Sequence, residues 1–238
     1  VRLALTMTPL LPAFTGAPAI NKVYNVDALT LLQAMPAESV DCVVTSPPYD
    51  NLRTYNGYSF EFEPIARELY RVLKLGGVCV WVIGDAFVNG SESLTSVKQQ
   101  IYFVDEVGFN MWDTMIWRKV TPGRFPKRYN PAWEYMFVLS KGEPKSFNPV
   151  LKRNNTAGSR PGGGRRDKAG HHPRTTPALV TKEWGVMENV WDIQAGASTV
   201  DRNGHPAPFP QELGRRHITT WTNEGDLVLE PFGGSGTT

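Results

Sequence analysis

Two stretches of this sequence combine residue types that could do chemistry. The first, Thr45-Ser46-Pro47-Pro48-Tyr49, closes the largely apolar run from Val40 to Val44. Each proline fixes φ and removes an N–H, and Pro48 keeps Pro47 out of helical geometry, so the loop presents carbonyl oxygens rigidly. The second, Glu230-Pro231-Phe232-Gly233-Gly234-Ser235-Gly236-Thr237, follows another apolar run, Asp226 to Glu230. Its glycines permit positive φ and let a backbone approach a ligand closely. Taken alone, a Ser-Pro-Pro tripeptide is most often a turn and a glycine loop is weak as a signal. His171, His172, His205 and His217 lack the cysteine or carboxylate spacing of a metal centre, so no metal ligands are assigned.

The elements that must position these loops follow from periodicity. A short strand at Val23, a helix over Ala28 to Met35 and a buried strand Val40 to Thr45 are expected, the last ending where open α/β sheets bind ligands. Ile65, Leu69, Val72 and Leu73 predict a helix over Phe62 to Leu75, stopped by Gly76-Gly77 before a strand Val78 to Ile83. A further helix is expected over Ser96 to Val107. Met111 to Arg118 and Trp133 to Ser140 read as strands at the sheet's far edge, with Trp112, Trp117 and Trp133 as packing residues. Beyond Lys141 the sequence is polar, basic and aperiodic. Order returns over Val186 to Ile193, a helix over Pro206 to Trp221 and the strand Asp226 to Glu230. Cys42 and Cys79 sit in apolar runs, as reduced core thiols of a cytoplasmic protein do.

On these motifs the chain resembles the DNA amino-methyltransferases that modify cytosine N4 or adenine N6. His205 to Leu213, with Phe209 and Pro210, is similar to the family segment that leads into the cofactor strand. The order of catalytic loop, variable region and glycine loop matches the family's beta group. The resemblance implies an α/β, Rossmann-like S-adenosylmethionine-dependent fold, a mostly parallel sheet flanked by helices with a basic loop-rich insert. It also implies that Ser46 and the Pro47 carbonyl accept the two hydrogens of a base's exocyclic amine, with Pro48 bracing the loop and Tyr49 stacking on the extruded base. Phe209, Pro210 and Glu230 through Thr237 would hold S-adenosylmethionine. Glutamate at position 230 departs from the family's usual aspartate. Serine at position 46 favours cytosine N4, with adenine N6 as the alternative and a non-catalytic DNA-binding remnant as a second class of reading.

Charge supports a polyanion partner independently of resemblance. The chain's net charge is +2, yet Arg118 to Arg174 holds fourteen Lys and Arg against Glu134, Glu143 and Asp167. Such a block is what phosphate contacts require. Lys152, Arg153, Arg160, Arg165, Arg166, Lys168 and Arg174 are the expected contacts to double-stranded DNA, with a cognate restriction endonuclease as a further partner and no membrane segment. The expected organisation is an N-terminal extension over 1–20, a catalytic half over 21–140, a target-recognition insert over 141–185 and the start of a cofactor-binding half over 186–238. Family members continue past the glycine loop, which implies a C-terminally truncated chain with weak cofactor binding.

Overall fold

The computed structural model describes residues 18–48, 60–119, 127–159, 180–194, 210–234, 236 and 238. Contacts divide the chain into two units, Val1–Phe147 with Asn189–Thr238, and Asn148–Glu188. In the first, α1 (Ala28–Ala34) starts at Asp27, whose carboxylate accepts the Thr30 N–H at 2.9 Å. The strand expected at Val23 does not form. Val23 is exposed, and Tyr24 and Val26 beyond it are only partly buried. Strand β1 (Val40–Thr45) is buried along its whole length.

Helix α2 (Phe62–Val72) buries Ile65, Ala66, Leu69 and Val72, but it stops three residues short of the expected Leu75. Leu73 is already extended and pairs with Val40, so β2 (Leu73–Ile83) begins before the glycine pair. Gly77 permits this close approach: a Cβ there would lie 2.9 Å from the Asp41 carbonyl oxygen. After β3 (Phe87–Val88) and β4 (Ser91–Glu92), which pair antiparallel, α3 (Thr95–Ile101) does not continue as one α-helix to Val107. It passes into a π-helical segment, Tyr102–Val107, closed by the Gly108 N–H on the Phe103 carbonyl at 3.1 Å.

Then come β5 (Asn110–Arg118), β6 (Trp133–Ser140), β7 (Leu151–Arg153), β8 (Trp184–Val186), β9 (Val190–Asp192), α4 (Gln211–Trp221) and β10 (Val228–Leu229). The region expected to be aperiodic beyond Lys141 therefore holds β7 and β8, which pair antiparallel within the second unit. Three-residue strands are too short for a period of two to register in sequence. The strand expected over Asp226 to Glu230 is likewise two residues long, not five, because Asp226 turns back to accept the Asn223 N–H.

The main sheet has the order β10-β1-β2-β6-β5-β9. Only β6 opposes its neighbours, so five of the six strands run one way and the sheet is mostly parallel. The far edge is β9, one strand beyond the aromatic pair expected there. One face carries Val43, Cys79, Trp81, Phe137 and Leu139 with the buried residues of α1, α2 and the π-helical segment. On the other lies α4, which buries Leu213, His217 and Trp221. Trp117 is buried and donates Nε1–H to the Ile193 carbonyl, whereas Trp112 and Trp133 are about half exposed. Both cysteines are buried and free. Burial pushes the Cys42 thiol up to about 12 and the Cys79 thiol upward as well, so neither is poised to react.

Candidate active site

Parallel pairing of β1 with β10 places Cys42 beside Val228 and Val43 beside Leu229. The chain therefore leaves both strands at the same end of the sheet, where Ser46-Pro47-Pro48 and the glycine turn emerge side by side. Pro47 is buried, and Ser46 and Pro48 are partly exposed. A direct contact ties the loops together: the Thr45 hydroxyl donates to Glu230 Oε1. The same carboxylate accepts the Phe232 N–H at 2.9 Å through Oε1 and the Thr238 hydroxyl at 2.9 Å through Oε2. Burial pushes the Glu230 carboxyl up to about 7, against these three donors, which favour its ionised form.

Phe232 anchors the glycine turn on the core. Its ring meets Phe60 edge-on at 5.5 Å and lies 6.3 Å from Trp81. Gly234 and Gly236 have φ of 51° and 76°, and the Gly236 N–H closes the turn on the Gly233 carbonyl at 2.6 Å. A Cβ at Gly236 would meet nothing within 4 Å, and one at Gly233 only Glu230 Cγ at 3.9 Å. Bare, uncrowded backbone beside a partly buried carboxylate is what close approach of a polar ligand needs.

A second cluster fixes the amino-terminal end of the same strand pair. Asp41, 2% exposed, accepts from Lys74 at 2.8 Å, from Lys145 and from the Leu227 N–H at 2.9 Å. Lys145 also reaches Asp226 at 2.9 Å. Burial alone would raise the Asp41 carboxyl, but these donors together hold it down to about 2. β10 is thus pinned to β1 at both ends, by ions behind and by Thr45–Glu230 in front. At the end of β2, Asp85 accepts the Ser96 N–H at 2.9 Å and the Ser96 hydroxyl at 2.5 Å, and so caps α3.

Of the residues singled out in sequence, Ser46, Pro47, Pro48, Glu230, Pro231, Phe232, Gly233, Gly234 and Gly236 fall at this one sheet end. Pro210 is buried and starts α4. Lys152 and Arg153 lie on β7 in the second unit. Tyr49, Phe209, Ser235, Thr237, Arg160, Arg165, Arg166, Lys168 and Arg174 lie outside the described residues. Thr45 was not foreseen, since a lone threonine at a strand end carries no signal and its partner is 185 residues away. Among the described residues no group of three or more His, Cys, Asp or Glu could hold a metal ion.

An open, mostly parallel sheet carrying a proline-braced loop and a glycine turn on adjacent strand ends is the architecture of a Rossmann-like methyltransferase. Residues 40–238 match the N6/N4 methyltransferase family model described as DNA methylase, and the chain belongs to that family. It is 48% identical over 213 residues to the orphan methyltransferase M.BamHII of Bacillus amyloliquefaciens, covering 84% of this chain and 78% of that protein. Of two further, longer methyltransferase relatives it spans 26% and 51%. The cytosine-N4-specific PvuII DNA methyltransferase shares the fold, with a TM-score of 0.63 at 24% identity over 90% of this chain and 75% of that one. TTHA0409 of Thermus thermophilus, solved in complex with S-adenosyl-L-methionine, has a TM-score of 0.56 at 28% identity over 89% of this chain and 79% of that one. Among the described residues no helix is long and apolar enough to cross a membrane.

Proposed function

We propose that this DNA methyltransferase moves a methyl group from S-adenosylmethionine to the 4-amino group of a cytosine extruded from double-stranded DNA. The reading is carried by the adjacency of the β1 and β10 loops, joined through Thr45 and Glu230. An exocyclic amine is a poor nucleophile because its lone pair is delocalised into the ring. The Ser46 side chain and the Pro47 carbonyl accept its two hydrogens, which favours a more tetrahedral nitrogen with the lone pair directed at the neighbouring turn. S-adenosylmethionine supplies the electrophilic methyl carbon on a sulfonium, and Glu230, Phe232 and the bare backbone of Gly233 to Gly236 are the residues that would hold it. With that group bound, the nitrogen lone pair would form the new C–N bond as the C–S bond breaks, leaving the neutral thioether, and the surplus amine proton would pass to water. Preorganised acceptors are the catalytic contribution of this loop, with no side-chain base assigned.

Incubation of plasmid DNA with the chain and a large excess of methyl-labelled S-adenosylmethionine, enough to offset weak cofactor binding, followed by digestion to nucleosides and mass spectrometry, tests this. Label in N4-methylcytosine is expected, and loss of kcat by a factor on the order of 100 in Ser46→Ala. Label confined to N6-methyladenine would overturn the choice of base. DNA binding without any transfer would favour the non-catalytic remnant.

A further inference from the structure

Two further connections leave the sheet at the end where β1 delivers the Ser46-Pro47-Pro48 loop. Thr45 pairs with Trp81 in parallel register, so the chain beyond Ile83 emerges at that end and forms the β3–β4 hairpin. β5 runs the same way as β1, and Arg118 pairs with Trp133, so the connection from β5 to β6 opens there too. The hairpin is fixed at its base. The Ser93 N–H donates to the Ala86 carbonyl at 2.9 Å, and the Ala86 N–H to the Ser93 hydroxyl oxygen at 3.2 Å.

The β5–β6 connection rests on this hairpin through Arg128, whose guanidinium lies 4.0 Å from the centre of the Phe87 ring and donates to the Gly90 carbonyl at 2.9 Å. Lys127, just before it, is held at a φ of 62°, a left-handed conformation that lysine seldom adopts. The next residue, Tyr129, is 99% exposed. An anchored and strained turn thus holds a whole phenol ring in water, and strain of this kind collects at functional positions. Val88 on the hairpin and Trp133, where the connection rejoins the sheet, are each about half exposed, so three apolar side chains are gathered at one sheet end. Residues 118–133 hold five Lys and Arg and no Asp or Glu.

We infer that Tyr129 is a wedge that enters the duplex as the target base leaves it, filling the vacated slot and stacking on the bases that stay. Extrusion forfeits the stacking of the departing base on its neighbours, and an aromatic ring put in its place returns part of that loss. The cations on either side of Tyr129 fit the phosphates that flank the slot. Charge also decides between DNA and a second copy of this chain, because the same face of a second copy would bring cations to cations. The inference rests on the DNA methyltransferase reading. It gives the extrusion step a residue of its own, apart from Tyr49, whose expected partner is the base already outside.

The test uses the full chain, a large excess of S-adenosylmethionine and a short duplex bearing the sequence that the chain methylates in plasmid DNA. The duplex is made with the target base paired and, separately, mispaired, since a mispaired base costs less to extrude. Tyr129→Ala lowers kcat/KM about tenfold on the paired duplex and less than about twofold on the mispaired one, and Tyr129→Phe recovers most of the loss. A fluorescent base analogue at the target position, brighter outside the stack, brightens with the parent and with Tyr129→Phe but not with Tyr129→Ala. Equal rates for the parent and Tyr129→Ala on the paired duplex overturn the inference. So do equal losses on the two duplexes, the mark of a phosphate contact or of a folding defect, and a failure of Tyr129→Phe to recover, which assigns the role to the hydroxyl. In each of these cases the parent still transfers methyl groups and the enzyme reading stands. A parent chain that transfers no methyl group to any DNA overturns that reading, and the wedge falls with it.

Discussion

Thr45 and Glu230 form the contact on which the geometry of the site turns. Thr45→Val keeps the shape of the side chain but removes its donor, and with it the hydrogen bond to Glu230. We expect kcat to fall about tenfold with thermal stability nearly unchanged, and Thr45→Ser to restore most of the rate; steady-state kinetics beside a melting curve separates positioning from folding. The raised Glu230 carboxyl makes a second prediction. Its value is about 7 in the folded chain against an ordinary value of 4.5. The folded state therefore binds a proton more tightly, and this stabilising contribution is complete below about 4.5 and lost as pH rises through 7. Denaturant midpoints from pH 5 to 8 should show Glu230→Gln gaining on the parent as pH rises, by on the order of 1–3 kcal/mol.

At the scale of elements, the strand pair depends on ions and the helix on a neutral histidine. Lys145→Met removes the donor shared by Asp41 and Asp226, and Lys74 alone cannot satisfy both oxygens of the buried carboxylate. A loss of about 1–3 kcal/mol is expected by chemical denaturation, along with weaker cofactor affinity if β10 loosens. On α4, His217 is fully buried, with Nε2 3.3 Å from Met136 Sδ and its ring 4.6 Å from Trp191. Burial pushes it down to about 3. The unfolded chain takes up a proton near 6.5 while the folded chain does not, so this contribution is present above 6.5 and lost as pH falls below it. Replacement by Gln should flatten the acid limb of stability between pH 6 and 4 by at most about 1.4 kcal/mol per pH unit.

Across the molecule, the sheet converts two segments far apart in sequence into one site, and opens the β5–β6 connection with Tyr129 at the same end. The strands Val40–Thr45 and Trp133–Ser140 were legible at their observed bounds, because continuous apolar or aromatic runs of that length have few other ways to be buried. The end of α2, the π-helical segment and the short strands β7 to β10 were not. Their limits are set by a partner strand or by packing around Phe103, and a local pattern carries neither.

By itself the sequence determined which residues could act: a proline-braced loop, a glycine turn and a basic region, each encoded by backbone restrictions or by charge that hold wherever the segment goes. Tertiary structure alone decided that β10 lies parallel to β1, so that both loops open at one end, and that Thr45 meets Glu230. It also decided that the turn carrying Tyr129 emerges at that same end. These are long-range outcomes, because strand order and facing come from which surfaces bury best together, a property of pairs of segments that neither segment carries alone.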